Sequence, residues 1–136
     1  MSKANPTEND LLNLFFQGTA LPWNAIINLF IALHTADPGE AGNQSTSEAT
    51  YTGYARVSVA RTSGGWTVAG GSAQNAALIQ FPQCTGGSSN VTHVSIGTQS
   101  TGAGQILYSG PLNSALNITN LIQPQFAAGA LVVTED

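Results

Sequence analysis

Charge is what this sequence has least of. Among its 136 residues are three basic side chains (Lys3, Arg56, Arg61) and seven acidic ones, for a formal net charge of −4. Soluble domains average roughly a quarter charged residues, so this surface has to be built from Ser, Thr, Asn, Gln and Gly. Such side chains bury cheaply against another protein once hydrogen-bonded, whereas a Lys or Glu needs a charged partner. Three scattered cations make no basic patch. That excludes nucleic acid as a phosphate-bound partner and a polybasic tether to a membrane. The single cysteine, Cys84, excludes an intramolecular disulfide and a zinc site built on cysteine pairs. Long apolar runs are also missing: Ala25 to Leu33 is interrupted by Asn28 and falls short of the ~20 residues that cross a bilayer. The opening Met1-Ser2-Lys3-Ala4-Asn5-Pro6 has no apolar h-region, so synthesis in the cytoplasm without secretion is expected.

Catalytic signatures are absent too. There is no G-x-S-x-G elbow and no phosphate loop, and Gly102-Ala103-Gly104 lacks the third glycine of a dinucleotide fingerprint. His34, Asp37 and Glu40 spell H-x-x-D-x-x-E, a ligand spacing that needs a helix, which Pro38-Gly39 forbids. His34 is therefore expected to cap a turn carbonyl, and His93 to face solvent or a partner. No enzymatic activity, no cofactor and no metal are expected. Trp23, Trp66, Tyr51, Tyr54 and Tyr108 could stack on sugar rings. Core packing is the competing fate, most directly at Tyr54 and Trp66, and Asp-rich calcium loops of the lectin kind are missing.

What is present is 42% hydrophobic residues, enough for one packed domain over 1–136. The first segment predicts a helix over 7–17, with Thr7 as N-cap, Asp10 as its capping-box partner, Glu8 at the positive end and Gly18 as the stop. Leu11, Leu12, Leu14, Phe15 and Phe16 place five large apolar residues in six positions. A one-sided surface helix needs fewer, so this one either covers an open end of the core or docks on a neighbouring subunit. Residues 24–136 read as the β part. Asn24 to His34 alternates as a strand buried mainly on one face, with a helix over Trp23 to Phe30 as the competing reading. Asp37-Pro38-Gly39-Glu40 matches a type II turn and opens the polar loop Ala41–Thr50. Further strands are expected at Tyr54–Ala60, Gly65–Val68, Ala76–Phe81, Val91–Gly97, Gln105–Ser109, Leu112–Ile118 and Ala128–Thr134. The expectation is an all-β fold, a jelly-roll-like antiparallel β-sandwich of about eight strands with a short N-terminal α-helix.

Three runs carry a resemblance: Leu33-His34-Thr35-Ala36-Asp37-Pro38-Gly39-Glu40-Ala41-Gly42-Asn43-Gln44, Tyr51-Thr52-Gly53-Tyr54-Ala55-Arg56-Val57 and Gly64-Gly65-Trp66-Thr67-Val68. Together with His93-Val94-Ser95-Ile96-Gly97 and Phe126-Ala127-Ala128-Gly129-Ala130, they resemble short structural proteins of tailed bacteriophages and prophages, the "phage tail fibre protein" family. The resemblance implies a virion structural protein and carries no catalytic motif. Trimeric fibres usually show repetitive shafts or heptads, which this chain lacks. The expectation is thus a head decoration, or cement, protein on the outer surface of the capsid, with the major capsid protein and copies of itself as partners. A tail fibre, or another tail component that binds a host receptor or glycan, is the alternative. Candidate contacts are Leu11, Leu12, Phe15 and Phe16 of the helix and the loop Ala36–Thr52. Trp23 and Tyr51 are the aromatic anchors, and Arg56 and Arg61 could meet an acidic patch. Each has a domestic alternative: the helix caps its own core, Trp23 fills it, and Arg56 pairs with Glu40 or Glu48.

Overall fold

The N-terminal strand joins the central five-stranded sheet, and the C-terminal strand joins the smaller sheet that packs against it. The computed structural model describes residues 1–135. In order they form β1 (Ser2–Lys3), α1 (Asn5–Gln17), β2 (Asn28–His34), β3 (Val57–Ala60), β4 (Trp66–Ala69), β5 (Ser72–Asn75), β6 (Ile79–Gln80), β7 (Ser89–Gly97), β8 (Ile106–Ile118), β9 (Gln125–Phe126) and β10 (Val132–Thr134). A five-stranded sheet runs β1-β8-β7-β2-β3, a three-stranded sheet β10-β5-β4, and β6 pairs with β9. Every pairing is antiparallel. The fold is an all-β sandwich with one short N-terminal helix.

The apolar core lies between the sheets. Ile31 pairs with Ile96 and Leu33 with Val94 across β2 and β7, so all four side chains stand on one face. They meet Trp66 and Val133 from the smaller sheet, together with Ile79, Phe81, Cys84, Val91, Ile118 and Leu131. Cys84 is a buried free thiol.

Several details depart from the sequence reading. The helix starts at Asn5 rather than 7, with Ala4 at its N-cap position and Pro6 in its first turn, where a missing N–H costs nothing. Thr7 is therefore no cap but the buried residue of the helix. Gly18 ends it as expected, in the left-handed region at φ 66°. Residues 22–25 are turns, so β2 begins at Asn28 and no helix spans Trp23 to Phe30. β2 is not buried on one face only. Residues 31–34 are all buried, because the loop after β2 folds back over the outer face of the sheet.

The strands expected at 105–109 and 112–118 are one strand, β8, which tolerates Pro111 at a register shift against β7. β1 covers only Tyr108 and Ser109 of β8, so at Pro111 the missing N–H falls on an edge. The strand count is ten rather than eight because β1, β5 and β9 are additional while two expected strands merge as β8. Gly70 and Gly71, at φ 59° and 75°, make the two-residue hairpin loop between β4 and β5, a turn that needs positive φ at both positions.

Candidate interaction surface

The outer face of the five-stranded sheet carries polar side chains, and the loop after β2 seals them in. His34, Gln44 and Ser95 are each fully buried. Since the Thr46 carbonyl can only accept, His34 Nδ1 carries the proton and donates to it at 2.8 Å, and the Ser95 hydroxyl donates to Nε2, also at 2.8 Å. Burial holds His34 below the ordinary imidazole range. Gln44 accepts from Gln99 N at 3.0 Å through Oε1 and donates its own backbone N–H to Ala103 O at 2.7 Å.

The same packing decides which candidate side chains remain available. Arg56 lies under this loop with its side chain 3% exposed. It forms a bidentate pair with Glu48 at 2.7 and 2.9 Å, the second of the two carboxylates foreseen for it. Its remaining donors reach Gln99 O and Gly102 O. Tyr51 is buried, donates to Pro82 O at 2.8 Å, and packs edge-on against Tyr54. Burial pushes its phenol up to about 12. Arg56 and Tyr51 are thus committed within the chain, whereas the loop Ala36–Thr52 buries only Pro38, Gln44, Ala49 and Tyr51 and keeps Ala36, Asp37, Glu40, Ser45 and Ser47 among others at the surface. Trp66 is in the core, so the aromatics form no open platform for a sugar ring there.

Trp23 and Arg61 form a stacked plate beside the base of α1. Arg61 stands 5.2 Å over the Trp23 ring and donates to Asn24 O and Ile26 O. Trp23 donates its indole N–H to Asp10 Oδ2 at 3.0 Å. Gln105 donates to the same Asp10 oxygen and to Thr7 Oγ1, and Thr7 donates to Ile106 O. These bonds pin the first half of α1 to the body. Lys3 pairs with Glu135, which also accepts from Tyr108, so the two ends of the described chain are strapped together.

The second half of α1 has no such cover. Thr7, in the pinned first turn, is the only buried residue of α1, and Leu11 and Leu14 are half-buried on the pinned side. On the opposite flank Leu12, Phe15 and Phe16 are 53%, 72% and 80% exposed. Most helix stability in proteins comes from packing an apolar face, and thirteen residues are marginal alone. Of the residues proposed from sequence, these three are the ones the fold presents outward as a group.

Sequence reasoning missed a second feature. Between the two sheets lies an open, mostly apolar cleft of about 660 Å³. Ile96, Leu107, Trp66 and Val133 form its buried part. Leu29, Val68 and Ala73 also line it, with Arg61, Tyr108 and Glu135 as its polar members. Trp66 Nε1 is buried with no hydrogen-bond acceptor among the described residues, a defect worth about 1–3 kcal/mol. No α1 residue lines the cleft. The alternation of strands gives no warning of such a gap, because it depends on how far the two sheets splay. Among the described residues no cluster of three or more His, Cys, Asp or Glu could hold a metal ion.

What this geometry offers is association: an uncovered apolar helix end, an open apolar cleft, and a surface nearly without charge. No curated protein matches the chain. A family model does, over residues 2–134, and on that nearly complete match the chain is a bacteriophage structural protein of the fibre type, belonging to the family described as Podophage GP4 fiber I protein gp80.

Proposed function

We propose that this protein is a virion fibre subunit that works by association alone, without catalysis, and that α1 is the part by which it is held. The observation that carries this is the outward flank of α1, where Leu12, Phe15 and Phe16 stand more than half exposed on a helix pinned only at its base. Burying a Leu or Phe side chain contributes about 1.5–3 kcal/mol, and repetition on a particle multiplies a modest contact through effective concentration. The polar, charge-poor exterior supports the same reading, since it can be covered without desolvating ions.

Head decoration is the second reading, with the major capsid protein as partner. One observation favours it: the described chain is a single short sandwich with neither shaft nor heptad stretch. Copy number separates the two. A fibre is present in few copies per particle, and a cement protein in numbers comparable to the major capsid protein.

The test is particle incorporation of a Leu12→Asp chain supplied to a phage lacking its own copy. The expected outcome is a soluble chain with an unchanged melting temperature that is lost from purified particles. Wild-type incorporation of this variant would refute the role of α1. Mass spectrometry of wild-type particles in the same experiment gives the copy number.

A further inference from the structure

The chain carries an uncovered apolar knob and an uncovered apolar hole, and its own knob does not occupy its own hole. The knob is the end of α1, with Phe15 and Phe16 at 72% and 80% exposure. The hole is the cleft of about 660 Å³ between the sheets, into which no α1 residue reaches. We infer that the α1 end of one copy seats in the inter-sheet cleft of a second copy. This rests on the reading of α1 as the holding element and names what receives it.

Polar complementarity singles out this occupant. The last turn of a helix presents carbonyls without intrahelical donors and the negative end of the helix dipole. No basic side chain in the last turn of α1 offsets it. The cleft supplies what that end lacks. Arg61 brings a cation with no carboxylate partner among the described residues, whereas Lys3 and Arg56 are both paired. Two Arg61 bonds to Asn24 O and Ile26 O, both through Nη1, fix the guanidinium at the cleft rim. An aromatic pair followed by bare carbonyls meets an apolar trough with a cation at its rim.

Such a contact is heterologous, since the surface given differs from the surface taken. Copies joined this way close into a ring or continue in a row. Each copy gives one helix end and takes one in its cleft, so a row of joined copies keeps one free helix end and one free cleft.

The experiment is sedimentation of the full chain, wild type and variants, alone and mixed. Phe16→Asp removes the knob, and Val68→Glu puts a carboxylate at the cleft wall. Both positions are exposed, Val68 at 76%, and circular dichroism checks that both variants fold. Phe15→Asp and Ala73→Glu provide a second pair. The wild type is expected to sediment above monomer mass, and each variant to associate roughly 10- to 100-fold more weakly. Mixed, the two variants form a dimer and nothing larger, because one retains the cleft and the other the helix. A wild type that stays monomeric, a Val68→Glu chain that still assembles, or a mixture that stays monomeric overturns the inference. Particle loss of Phe16→Asp beside normal incorporation of Val68→Glu would overturn it while leaving the attachment role of α1 standing.

Discussion

Gln44 sits where two glycines leave room for it. A Cβ on Gly97 would stand 2.2 Å from Gln44 Cδ, and one on Gly104 would stand 2.0 Å from Gln44 Oε1. The amide cannot retreat without releasing Gln99 N, which it holds at 3.0 Å. Gly97→Ala is therefore expected to destabilise the fold by about 1–3 kcal/mol, as overpacking does, read as a lower melting temperature. Gln44→Ser on the Gly97→Ala background should recover part of that loss, a coupling expected only of side chains in contact. Beside it, His34 makes the layer pH-sensitive. Burial lowers its folded pKa, so the unfolded chain binds a proton that the folded chain resists. Stability from this group is complete above the unfolded value near 6.5 and falls as pH drops below it, by at most about 1.4 kcal/mol per unit. Urea midpoints should therefore decline from pH 7 to pH 5, ahead of carboxylate titration, and the slope should flatten in His34→Gln. An unchanged slope in that variant would remove His34 as the source.

At the scale of elements, α1 stands on a few polar bonds. Thr7 donates to Ile106 O at 2.8 Å and accepts from Gln105 at 3.0 Å. Thr7→Val keeps the shape and removes both bonds, leaving buried groups unsatisfied at about 1–3 kcal/mol. The β sandwich should survive while α1 loosens, so limited proteolysis should cut the exposed Gly18-Thr19-Ala20 connection faster with the core intact. Equal resistance to cleavage would mean that α1 is held elsewhere. The existence of this helix was legible from its apolar run and its Gly18 stop. Its true first turn was not, because Thr7 looks like a cap and acts as a tertiary pin. Strands β2, β3, β4 and β7 were legible from alternation. β5 was hidden because Ser72-Ala73-Gln74-Asn75 is polar, although Gly70-Gly71 before it is a hairpin signal. β1 and β9 are two residues each, too short for any periodicity. The outward face of α1 could be read from five apolar residues in six positions. The cleft could not, since its lining comes from seven separate stretches of chain.

Over the whole molecule the scarcity of charge becomes a statement about assembly. Ten charged side chains cover the chain, and two of the three cations are already paired with Glu48 and Glu135. Among the cationic side chains, Arg61 is the one without a carboxylate partner among the described residues and so is free to meet a partner's negative end, with the helix-dipole contact worth about 0.3–1 kcal/mol and open to screening. Everything else in the contact is apolar burial, which salts of the sulfate kind strengthen. Raising sodium chloride from low to several times physiological ionic strength should therefore weaken self-association, and retention on the particle, by no more than about fivefold. Arg61→Gln should abolish that small dependence and leave the apolar part intact. A loss of several decades over the same range would point instead to a partner surface dense in charge, and attachment would then belong to carboxylates such as Glu8, Asp37 and Glu40 rather than to the helix end. Because a charge-poor, polar exterior gives little long-range steering, the two outcomes also differ in rate. Association through α1 should proceed at an ordinary docking rate that salt leaves nearly unchanged, with variants of Phe15 and Phe16 acting almost wholly on dissociation.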